Sequence, residues 1–85
     1  MTPQDDRFDQ LRTLLAEMTG NDAGDIHPDS VLIDDLGIVP ETDLPGIVKR
    51  INKDFEIHLN PSAVADEVES VEDLLTMISD EVELG

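Results

Sequence analysis

Asp34-Asp35-Leu36-Gly37-Ile38-Val39-Pro40-Glu41-Thr42-Asp43-Leu44 is the stretch that decides how this chain reads. It is a tight acidic turn that closes one loop and opens an amphipathic helix. Asp35-Leu36-Gly37 suits a chain that buries one leucine and then reverses, because glycine tolerates a positive φ that other residues resist. Thr42 or Asp43 is placed to cap the following helix, since a short side-chain oxygen can accept from an orphan first-turn N–H. Pro45 fits there too, where its missing N–H deprives the helix of no bond.

Downstream, the pattern predicts a helix from about Thr42 to Phe55. At roughly 100° per residue, Leu44, Ile47, Val48, Ile51 and Phe55 share one face, with Lys49, Arg50 and Lys53 opposite. Gly46 costs about 1 kcal/mol relative to alanine inside a helix, so the first turn should be soft. Ile57-His58-Leu59 is a short apolar link, and Asn60-Pro61 restarts a helix that reaches about Asp66, with Val64 and Ala63 inward. Ser70-Val71-Glu72-Asp73 reads as a capping box with aspartate in the distal position. Val71, Leu74, Leu75, Ile78 and Val82 form the last stripe, and Glu83-Leu84-Gly85 should fray.

Upstream, Asn21 to Gly37 is polar, broken by Gly24 and Pro28, and lacks a sustained period. It predicts a long loop pinned by side chains among Ile26, Val31, Leu32 and Ile33. Loops of this length in a compact domain tend to have a job. Before it, Thr2-Pro3-Gln4-Asp5 is a helix start, with Thr2 as cap, Pro3 at the first helical position and acids following. Phe8, Leu11, Leu14, Leu15 and Met18 recur at helical spacing, and Gly20-Asn21 supplies C-cap chemistry. The sum is an all-α bundle of three amphipathic helices and one short one, in one domain spanning residues 1–85.

Composition narrows the function. Five Lys+Arg against 21 Asp+Glu give a net charge of −16, which repels nucleic acid and anionic lipid and favours basic protein surfaces or divalent cations. Two Phe and no Trp or Tyr leave little to stack on bases, so no nucleic-acid partner is expected. Without cysteine, neither disulfides nor a thiolate metal site can supplement a small core. No apolar run reaches membrane length and no signal-peptide pattern opens the chain, so a soluble, monomeric, cytoplasmic protein is the expectation. His27 and His58 have no ligand spacing around them. The acids Asp34, Asp35, Glu41 and Asp43 lack the calcium-loop pattern. No metal and no catalytic residue are expected.

Asp25-Ile26-His27-Pro28-Asp29-Ser30-Val31-Leu32-Ile33-Asp34-Asp35-Leu36-Gly37, followed by a helix ending Lys53-Asp54-Phe55-Glu56-Ile57, resembles the acyl carrier protein family. The resemblance spans nearly the whole chain. It implies a four-helix bundle with a long first loop and a short third helix, and Asp34, Asp35, Leu36 and Gly37 as the recognition turn. It also implies a serine just after that turn whose hydroxyl carries 4′-phosphopantetheine. By the family's spacing that serine falls on Pro40 counted from Gly37, or on Glu41 counted back from Phe55. Neither has a hydroxyl. Thr42 is the nearest one, a residue beyond the better alignment, and Asp29-Ser30-Val31 matches a structural loop serine of the family.

A second departure concerns docking, because the helix after the serine is ordinarily acidic, and here Lys49, Arg50 and Lys53 are on its outer face. Either that face is simply solvated, or the partner surface has changed sign, or the acidic loop and last helix have taken over docking. The expectation is a carrier-like bundle that docks onto partners such as acyl-activating or condensing enzymes of fatty acid or polyketide synthesis, with no cofactor. Two rivals stand beside it: a carrier modified at Thr42, and an interaction or regulatory module that shares only the fold.

Overall fold

The computed structural model describes residues 3–84, with side chains from residue 7 onward. Helix α1 spans Pro3–Thr19, a 3-10 turn spans Ala23–Asp25, and α2, α3 and α4 span Leu44–Phe55, Pro61–Glu67 and Val71–Leu84. The capping role of Thr2 and the fraying of Gly85 lie outside the described residues. Helix α4 runs unbroken through Leu84, so Glu83 and Leu84 are helical. Among the described residues, extended pairing is limited to one antiparallel bridge, Val31 to Ser70. No helix among them is long and apolar enough to cross a membrane.

Each helix ends where local chemistry ends it. Helix α1 stops as the Thr19 hydroxyl donates to the Leu15 carbonyl at 2.6 Å and Gly20, at φ +79°, donates its N–H to Ala16. Helix α2 closes on Glu56 in the left-handed region at φ 57°, where the sequence offers no glycine. Asn52 fixes the exit, since its side chain donates to the Leu59 carbonyl and accepts from the Leu59 N–H at 2.8 Å. Asn60 caps α3 by accepting from the Ser62 N–H at 2.8 Å, with Pro61 in the first turn. The capping box before α4 forms with aspartate, as Asp73 accepts from Ser70 N–H and the Ser70 hydroxyl accepts from Asp73 N–H.

The core joins the predicted stripes. Leu11, Leu14 and Leu15 of α1 meet Leu44, Ile47, Val48 and Ile51 of α2 and Val71, Leu74, Leu75 and Ile78 of α4, with Phe8, Phe55 and Val82 packed against them. Burying such a side chain contributes about 1.5–3 kcal/mol. The long loop belongs to this core as well, through Ile26, Leu32, Leu36 and Ile38. Two residues depart from expectation. Met18 is 40 % exposed, because it sits in the last turn of α1 and reaches sideways, its Cε 3.9 Å from where a Cβ on Gly46 would stand. Ile33 is 54 % exposed, since the turn that buries Leu32 and Leu36 points it outward.

Candidate docking surface and attachment turn

Backbone hydrogen bonds hold the loop before α2 in place. Leu32 N–H donates to Glu69, Val71 N–H to Ser30 and Glu72 N–H to Pro28, at 2.8–3.0 Å, which ties the loop to the junction of α3 and α4. Ser30 is buried, and its hydroxyl accepts from the His27 N–H at 3.0 Å, so its oxygen is a structural group within the loop. The Asp34–Gly37 turn then coils on itself. Asp35 and Leu36 donate to the Val31 carbonyl, and Gly37, at φ +73°, donates to Ile33. A β-carbon at that φ would be strained, which is why glycine stands there. Asp35 accepts from the Val31 N–H at 2.7 Å, Leu36 is buried, and the Asn21 amide donates to the Leu36 carbonyl at 3.1 Å. Asp34 is exposed.

The next turn repeats this device. Thr42, Asp43 and Leu44 all direct their N–H groups at the Val39 carbonyl, Asp43 most closely at 2.7 Å. The Asp43 carboxylate accepts from the Val39 N–H at 3.1 Å. This corrects the predicted helix start. Asp43 makes no side-chain cap to α2 and instead reaches backward, so residues 40–43 form a separate turn and α2 opens at Leu44. Pro45 sits in the first turn as expected. Pro40 is half-buried, while Glu41 and Thr42 are exposed.

Beyond this turn, the cations of α2 divide. Lys49 and Lys53 are exposed, with no ion pair to any described residue. Arg50 is half-buried and turned toward α1, bonded to Asp54 at 3.1 Å and to Glu17 at 3.2 Å. The hydrogen bond to Asp54, then its charge, raises the guanidinium above its ordinary range. A long-range pair of this kind is invisible to helical periodicity, as Glu17 lies 33 positions away. Sequence reasoning also passed over Val39, which is 47 % exposed between the two turns. Its only signal is that it precedes a proline.

With this geometry in view, the relatives become informative. An acyl carrier protein of Clostridium acetobutylicum is 31 % identical over 71 residues, covering 84 % of this chain and 90 % of that protein. This chain belongs to the acyl carrier protein family. No protein-family model matches it. As a family member it keeps the all-helical architecture, with the short α3 and the loop packed beneath α4. His27 and His58 are both exposed on separate segments. Among the described residues no three His, Asp or Glu side chains converge as a metal site would require.

Proposed function

We propose that this acyl carrier protein family member docks onto partner proteins and carries no 4′-phosphopantetheine arm. The observation that carries the reading is the chemistry of the turn entering α2. An ester-linked arm needs a hydroxyl nucleophile, and Pro40 and Glu41, the two positions the family's spacing selects, have none. These residues do not fit the group. The exposed carboxylate of Glu41 puts negative charge where the donor's pyrophosphate would approach. Thr42 is exposed but lies one residue beyond the better-matched position.

The chain then acts by binding rather than by chemistry of its own, on enzymes that activate or condense acyl groups. The Asp34–Gly37 turn supplies the shape such partners meet. Lys49 and Lys53 supply cations on the adjoining helix and favour a partner surface that bears carboxylates. One rival keeps a specific observation in its favour: the Thr42 side chain is exposed and makes no hydrogen bond to any described residue, so a carrier loaded at Thr42 is the second reading.

Transfer decides between them. The protein is incubated with coenzyme A and a promiscuous phosphopantetheinyl transferase, and its intact mass is measured. The armless reading expects the mass unchanged. A gain of one phosphopantetheine mapped to Thr42 establishes the rival.

A further inference from the structure

Away from the attachment turn, a groove of about 630 Å³ runs between α3 and α4. The apolar side chains of Leu59, Val68, Met77 and Leu84 line it together with polar ones. Leu59 and Val68 belong to the core, Met77 is half-buried, and Leu84 is 82 % exposed, the most exposed large apolar side chain among the described residues. Its rim is acidic, with Glu67 on one side and Asp80 and Glu81 on the other, and no lysine or arginine lines it. The wall from His58 to Asn60 is fixed in place by the Asn52 clasp on Leu59.

Helix α4 presents the groove as a continuous stripe. Asp73, Thr76, Met77, Asp80, Glu81 and Leu84 recur at spacings of one, three and four, beside the buried stripe that faces the core. At 1.5 Å per residue this stripe is about 16 Å long, or roughly three turns of a docked helix. Apolar side chains set among acidic ones over that length match one kind of ligand: a helix with a leucine-like stripe flanked by Lys and Arg. Met77 suits such a site, because an unbranched thioether side chain adapts to the knob placed against it.

We propose that the α3–α4 groove is a second docking surface, which receives a basic amphipathic helix of a partner protein. Charge selects this occupant over the others. A second copy of the chain would bring a further net charge of −16, with Arg7, Lys49 and Lys53 as its cations lacking ion-pair partners among the described residues. A free fatty acid would bring its carboxylate to a rim that is already anionic. A basic helix is attracted by the same field that repels both. The inference deepens the docking half of the reading above and is separable from the absent arm. An unmodified mass with no groove binding sinks this inference alone, and arm transfer with groove binding intact sinks the armless reading alone.

The test uses the full chain and a fluorescein-labelled synthetic helix with leucines along one stripe and lysines on both flanks. Binding is read by fluorescence anisotropy at physiological salt. Asp80→Lys with Glu81→Lys places cations in the last turns of α4, where the helix dipole favours them, so the fold should survive and circular dichroism checks it. Asp22→Lys with Asp25→Lys makes the same charge change on the exposed 3-10 segment beside α1. The groove pair should weaken binding by about tenfold and the control pair by less than about threefold. Leu84→Asn, which alters the apolar lining without touching charge, should weaken it as well. Equal losses in the two charge variants would reduce the binding to general attraction by an acidic protein and overturn the proposal. So would displacement of the helix by dodecanoate, or dimerisation of the chain that Asp80→Lys with Glu81→Lys abolishes.

Discussion

The turns Val31–Asp35 and Val39–Asp43 are tied alike and do different work. In each, an aspartate accepts from the N–H of the valine four residues before it, at 2.7 Å in the first and 3.1 Å in the second. The first turn is then drawn inward: Leu32 and Leu36 enter the core, and Leu32 N–H bonds across to Glu69. The second stays at the surface, with Val39 47 % exposed and Glu41 and Thr42 exposed beside it. Asp35-Leu36-Gly37 lies in the turn whose residues hold the bundle together, whereas Pro40 and Glu41, neither with a hydroxyl, lie in the turn whose side chains bury less. A change at the exposed residue 41 would alter the chemistry of that turn without disturbing the core.

Breaking the two turns in parallel should expose that difference. Leu36→Ala leaves a cavity in the core and should cost about 2–5 kcal/mol in urea unfolding. Val39→Ala trims a side chain about half in water and should cost less, within about 1 kcal/mol. Equal losses would mean that the second turn is also structural and the contrast fails.

The shared device predicts a smaller and matched effect. Asp35→Ala and Asp43→Ala each leave one valine N–H without its carboxylate, and each should cost about 0.5–2 kcal/mol. The N–H of Val31 and of Val39 should then exchange with solvent faster in the respective variants, read by amide hydrogen exchange. A change at Asp43 that alters neither stability nor the Val39 N–H would show that residues 40–43 are not locked, and that α2 alone positions Glu41.

The helical stripes were legible because a helix that faces one core repeats its apolar residues at one period. That period placed Leu11, Leu14 and Leu15, Ile47, Val48 and Ile51, and Leu74, Leu75 and Ile78 in the interior. The Ser70–Asp73 box was legible because both partners lie within one helical turn. Asp43 misled, since an aspartate before an apolar run can equally cap the helix after it or lock the turn before it. Met18 misled because the stripe outlasts the helix that could bury it, and the neighbour it meets is a glycine. Arg50 and the α3–α4 groove were beyond reach. Both depend on how close separate helices come, which no local period encodes.

At the position proposed to stand for the family's attachment serine, the residues Pro40, Glu41 and Thr42 were plain in the sequence, while the register among them was not. The most direct test of the account treats that position as a switch. Native protein and Glu41→Ser are incubated side by side with coenzyme A and the same phosphopantetheinyl transferase, and intact masses are compared. The account predicts an unchanged mass for the native chain and a gain of one phosphopantetheine, mapped to residue 41, for the variant. A native chain that gains the group at Thr42 would contradict it.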